Sequence, residues 1–144
     1  MDLYIDALNL AANNFIDVVK DIVVSKEVYE NGWNAKHIIA HIVFYHEYYV
    51  NVVKALVDKK ELPLIDESLA KVNLKSANDY SKMTRNELIK RFETAHKLFV
   101  NNLIKLNSDT LIPYKKGGRI YKRDEYIEEI SRHIARHTKD LVKK

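Results

Sequence analysis

The chain contains no cysteine. Disulfides, thiolate metal sites and a cysteine nucleophile are therefore excluded together. Glycine and proline are nearly as scarce, with three and two copies in 144 residues. A many-stranded β fold needs a turn signal every ~8–12 residues, so this shortage of breakpoints favours long helices. No stretch approaches the ~18 uninterrupted apolar residues of a membrane span. The opening MDLYIDALNLAANNFIDVV lacks the basic start and clean apolar run of a secretory leader. A cytoplasmic protein with no membrane partner is expected. Charge of one sign is missing too: 24 basic and 20 acidic residues are interspersed, and the densest basic cluster is KKGGRIYKR (115–123). A nucleic-acid binder concentrates more positive charge on one face, so that class of partner is not expected.

What is present suits a soluble globular protein: 47% of residues are hydrophobic and 31% charged. We read residues 1–144 as one domain. Apolar residues recur at three and four from about Asp2 to Val24, with Leu3, Ala7, Leu8, Ala11, Phe15, Val18, Val19 and Ile22 as the inner stripe. Asn31-Gly32 marks a turn, and a second helix runs from about Asn34 to Lys59. Residues from about Glu61 to Met83 read as a long connection with one helical turn near Glu67–Val72. Thr84-Arg85-Asn86-Glu87 is a capping box, starting a third helix that runs to about Leu106. The stretch NSDTLIPYKKGGRIY forms a small hairpin or a loose loop. A last helix runs from about Lys122 to the end, with Ile127, Ile130, Ile134 and Leu141 inward. The fold expected is all-α: a four-helix bundle with a long connection between its second and third helices.

Two stretches carry paired histidines: His37 and His41 in WNAKHIIAHIVFYH, and His133 and His137 in EISRHIARHTKDL. Four residues turn a helix by about 400°, so each pair lies within ~40° of one direction. Apolar neighbours put His41, His133 and His137 close to the interior. Three buried imidazoles without partners would cost roughly 1–3 kcal/mol each, whereas a divalent cation would satisfy all of them. The bland alternative is that His133 and His137 face water beside Glu129 and Asp140. Spacing does not decide between the two.

Trp33 followed by His41, with HxxxH in the last long helix and a long connection between, resembles the DinB/YfiT-like superfamily of damage-inducible four-helix bundles. The ending RHIARHTKDLVKK is similar to the ClbS/DfsB-like subgroup. The resemblance covers essentially the whole chain. It implies that His41, His133 and His137 hold a divalent metal (nickel, zinc or iron). It also implies a small-molecule substrate, such as a low-molecular-weight thiol, and a homodimer. The activity implied is a thiol-dependent transferase or a hydrolase, in which the metal activates a thiol or water. The alternative is a non-catalytic stress or resistance-related binding protein with a vestigial or structural metal site.

Other candidates read more plainly. His37 is placed outside the metal's immediate ligands, as a surface or supporting group, and His46 in solvent. His96 is expected at the core edge with its polar atoms satisfied. Glu47 and Glu129 lie near the histidine motifs, but neither is named as a general base; Glu129 is expected to pair with Arg132 or Arg136. Tyr45 and Tyr48 read as core packing or as pocket-lining hydroxyls. Helix two has enough apolar surface to supply a dimer patch. GxSxG, HExxH and Gly-rich dinucleotide motifs are absent, so serine hydrolase, zincin and Rossmann chemistry have no support.

Overall fold

Each helix begins where a nearby polar group takes up a free backbone amide, the chief electrostatic problem of a helix start. In the computed structural model, which describes residues 2–143, the Asp2 carboxylate accepts from the amides of Tyr4 and Ile5 and opens α1 (Leu3–Asp21). Asn34 caps α2 (Ala35–Val57), Ser68 caps α3 (Leu69–Tyr80) and Thr84 caps α4 (Arg85–Leu103) through the expected box with Glu87. Strands β1 (Leu111–Pro113) and β2 (Ile120–Lys122) pair antiparallel, with Ile112 opposite Tyr121. This resolves the ambiguous stretch as a hairpin. The chain then enters α5 (Arg123–Leu141), where the Glu125 carboxylate accepts from the Lys122 amide. Met1 and Lys144, the outer limits of the expected domain, lie outside the described residues.

Three helix C-termini are closed by cations from elsewhere, which suits the negative end of the helix dipole. Arg85 donates to the carbonyls of Val19, Lys20 and Ile22 at the end of α1. Arg123 donates to Leu103 and Leu106 after α4 while pairing with Asp2 and Asp124. Lys26 donates to Leu141 and Lys143 after α5. Helix α2 closes itself: the Lys60 amide bonds to Ala55 and the Lys59 amide to Leu56, a Schellman turn with Lys59 at φ 56°.

Packing pairs α1 with α5 and α2 with α4, and α1–α4 and α2–α5 contacts close the ring; α3 lies on α2. Helix α2 is buried nearly all round, from Ile38 and Ile39 to Val52 and Val53. This explains its β-branched and aromatic composition, because a helix inside a core needs no polar face. It also removes α2 as a source of a dimer patch. Exposed large apolar side chains lie elsewhere, including Leu3 and Leu10 on α1. The inner stripe of α1 is Ile5, Leu8, Ala12, Phe15 and Val19, so Leu3 and Ala7 face outward, contrary to the expectation. The inner stripe of α5 is as expected, and α4 buries Leu88, Phe92, Ala95, Phe99 and Leu103, ending three residues before the expected Leu106. Residues 69–80 form a full helix rather than one turn in a loop. Only Ser76 and Ala77 of α3 are buried, so its apolar periodicity is faint.

His46 is not in solvent: it is 1% exposed, stacked on Phe92 at 4.4 Å between ring centroids. Its Nε2 lies 3.0 Å from His96 Nδ1, and His96 Nε2 lies 2.7 Å from the Asn9 carbonyl oxygen. This Asn9–His96–His46 chain links α1, α4 and α2 and satisfies His96 as expected. Burial lowers the pKa of both imidazoles, His46 well below its ordinary 6.5, with the neighbouring His96 charge adding to the shift.

Two outcomes follow. A depressed histidine pKa leaves stability intact above the unfolded value of about 6.5 and removes it as pH falls toward the folded value, by up to about 1.4 kcal/mol per pH unit for each such group. Urea unfolding is expected to show stability falling from about pH 7 to about pH 5, with a shallower decline in His46→Phe. Relief of the left-handed backbone at Lys59 is expected to make Lys59→Gly more stable by up to about 1 kcal/mol in the same assay.

Candidate metal centre

Helix periodicity brings the two histidine motifs to one end of the bundle. His41 is on α2, His133 and His137 are one turn apart on α5, and α2 packs against α5. His41 Nε2 lies 3.2 Å from His133 Nε2, which lies 3.1 Å from His137 Nε2. One potential ligand atom from each residue falls within 4.8 Å of the other two. An aromatic nitrogen carries either a proton or a lone pair, so His133 Nε2 cannot form a full hydrogen bond to both neighbours. His41 Nδ1 is buried with no partner among the described residues. Hydrogen bonding alone leaves the cluster under-satisfied.

The remaining geometry fixes the proton on one ring. Tyr29 Oη donates to Asp140 at 2.6 Å and lies 2.8 Å from His137 Nδ1. With its proton on the carboxylate, the phenol accepts from His137 Nδ1–H, which leaves His137 Nε2 as a bare lone pair facing the other imidazoles. Burial, Asp140 and the hydrogen bond to it raise the Tyr29 pKa, so the phenol stays neutral. The three rings are neutral as well. Burial first, then nearby positive charge, holds His41 and His133 down to about 3 and His137 to about 4.

This donor set fits a divalent ion. Nitrogens ~2.0–2.1 Å from a tetrahedral zinc stand roughly 3.3 Å apart, close to the two observed separations. Uncharged imidazoles suit zinc, nickel or iron, and three of them leave a coordination position open. The cluster forms the floor of a cleft of about 580 Å³ whose walls include Trp33, Tyr45, Tyr114 and Arg136, with Leu69, Ala70, Asn73 and Leu74 from α3. The Tyr45 hydroxyl donates to Asn73, tying that wall to α2.

The other sequence candidates have separate tasks. His37 Nδ1 accepts from the Asn34 amide and completes the α2 capping box, with Trp33 stacked beside its ring. It therefore supports the helix that carries His41. Glu47 is held by Arg91 and Tyr80 between α3 and α4. Glu129 is exposed and makes no salt bridge among the described residues; Arg132 pairs with Glu128 instead. Tyr45 lines the cleft, whereas Tyr48 donates to the Tyr114 carbonyl and accepts from the Ile65 amide as a structural tie. Tyr29 and Asp140 were not legible as site residues. Tyr29 sits in the irregular connector just ahead of the first histidine motif, yet its hydrogen bond is to His137 of the second motif, on α5.

No protein-family model and no curated protein matches the sequence. Solved structures do share its fold. A mycothiol-dependent maleylpyruvate isomerase superposes with a TM-score of 0.78 at 14% identity, over 96% of this chain and 59% of that one. This chain thus spans about three fifths of the isomerase. YfiT from Bacillus subtilis, described as "a probable metal-dependent hydrolase with an unusual four-helix bundle topology", superposes with a TM-score of 0.74 at 14% identity, over 96% of this chain and 83% of that one. At such identity the likeness is one of fold, and the fold of this chain is the four-helix bundle seen in YfiT.

Proposed function

We propose that the chain is a metal-dependent enzyme of the DinB/YfiT-like superfamily, with His41, His133 and His137 holding one divalent metal at the floor of the cleft. The observation that carries this reading is the convergence of three neutral imidazoles on one point, with two Nε2–Nε2 separations of 3.1 and 3.2 Å. When bound, the metal supplies a Lewis acid that lowers the pKa of a thiol or water in its open position. The protein's own groups do the rest. Tyr29 and Asp140 hold His137 in the tautomer that faces the site, Trp33 and Tyr45 pack against the His41 ring, and α3 covers one side.

Between the two nucleophiles, the lining favours a thiol. Among the described residues no aspartate or glutamate lines the cleft, so a water would have no lining carboxylate to take its proton. A thiol, with a pKa of about 8.5, needs only a small shift to ionise near neutrality. The thiol dependence of the structurally similar isomerase agrees, and a thiol-dependent transferase is therefore the activity proposed. The same proposal makes the protein one cytoplasmic domain that pairs as a homodimer, supported by the exposed Leu3 and Leu10 on α1 and tested by sedimentation.

Elemental analysis of protein purified without a His-tag is expected to find about one zinc, nickel or iron ion per chain, lost in His137→Ala. His37→Ala should retain the metal, because His37 serves the helix cap. Protein that fails to take up added Ni²⁺, Zn²⁺ or Fe²⁺ would overturn the reading. Tyr29→Phe removes the acceptor on His137 Nδ1 and is expected to weaken metal binding by about 10-fold or more in chelator competition.

A further inference from the structure

The charges around the cleft go further than the reaction type. Arg85, Arg91, Arg123 and Arg132 all make hydrogen bonds or salt bridges, and Arg119 lies over the Tyr121 ring. Arg136 is exposed on the cleft wall, one residue from His137, and has no such partner among the described residues. Among the described residues, none that lines the cleft is acidic. The nearby carboxylates are Asp140, engaged by Tyr29 and Lys143, and Glu129, which is exposed and acts on Tyr114 from outside the lining. Two further donors on lining residues make no hydrogen bond among the described residues. Asn73 uses its carbonyl oxygen for Tyr45 and Asn31 uses its own for the Trp33 amide, which leaves both NH₂ groups free. Three neutral ligands would also leave the full double charge of a bound metal uncompensated. With a metal bound, the cleft would carry positive charge on its floor and wall and no acidic residue among its described lining, an arrangement that concentrates anions.

We propose that the cleft selects a thiol bearing a carboxylate, with the sulfur directed to the histidine floor and the carboxylate received by Arg136 and Asn73. A guanidinium suits this role because its planar donors match a carboxylate in two-point contact. Arg136 is then a specificity-determining residue for the activity proposed above, and the inference rests on that reading.

Zinc-loaded protein titrated by calorimetry at low salt tests the two separately, with 3-mercaptopropionate, 2-mercaptoethanol and propionate as probes. The carboxylate thiol is expected to bind at least about 10-fold tighter than the neutral thiol. Arg136→Gln should bring the two within about 2-fold without changing the affinity for 2-mercaptoethanol. Because Arg136 is exposed and unpartnered, this variant is expected to keep the parent circular dichroism and metal content. Equal binding of both thiols to the parent protein, or a preference that survives Arg136→Gln, would overturn the carboxylate proposal and leave the thiol reading standing. Propionate binding that depends on Arg136, with no gain from the sulfur, would support the anion subsite and overturn the thiol reading. Failure of all three probes to bind would overturn both.

Discussion

Helix α2 has almost no solvent-facing side, yet it carries His41, Tyr45, His46, Glu47, Tyr48 and Tyr49. A polar tip taken from water must find a partner in the protein or lose stability. Four different elements answer these tips. Asn73 on α3 takes Tyr45, His96 on α4 takes His46, the carbonyl of Tyr114 beside the hairpin takes Tyr48, and His133 on α5 faces His41. The positions of the surrounding elements are fixed as much by this demand as by apolar packing. Tyr45 and Tyr48 become structural ties in this way, while His41 and His46 each keep a buried Nδ1 with no partner among the described residues. What sets His41 apart is that its Nε2 faces a second and third imidazole, and there the candidate metal centre lies.

The contrast between the two buried histidine groups sharpens that distinction. His46 and His96 form a linear chain ending on the Asn9 amide, with the rings stacked against Phe92. Hydrogen bonds can run along such a chain in one direction. The other group is arranged around a point, with two imidazoles directed at the same nitrogen of a third. A linear array suits protons and a convergent one suits a cation, though both are built from the same side chain in the same core.

Most of the helices were legible because their signals are periodic or local, whereas spacing left the histidine triad open and the family resemblance joined its two motifs. A capping box at Thr84, apolar residues every three or four positions, and HxxxH spacing all act within one or two turns. What escaped depended on tertiary burial. Residues 69–80 bury little, so their helical pattern is hidden by lysine and asparagine. His46 looked solvated from its angle to His41, but α2 is covered on both faces, so that angle does not reach water. Tyr29 reaches His137 across 108 positions, a separation at which no spacing rule operates.

The cleft has a floor and a wall of unlike construction. Its floor is set by α2 and α5, whose side chains interlock with the core. Part of its wall is α3, which buries only Ser76 and Ala77 and is latched at its approach by the hairpin through Lys116 to Ile65 and Lys115 to Glu67. Leu69, Ala70 and Leu74 therefore shape the cleft from positions that contribute little to the interior. Substitutions there alter the width and polarity of the cavity at small cost in stability, whereas changes at the floor disturb both packing and ligand geometry. Under the proposed function, such a division would let the range of accepted ligands change through α3 while the histidine floor stays as it is.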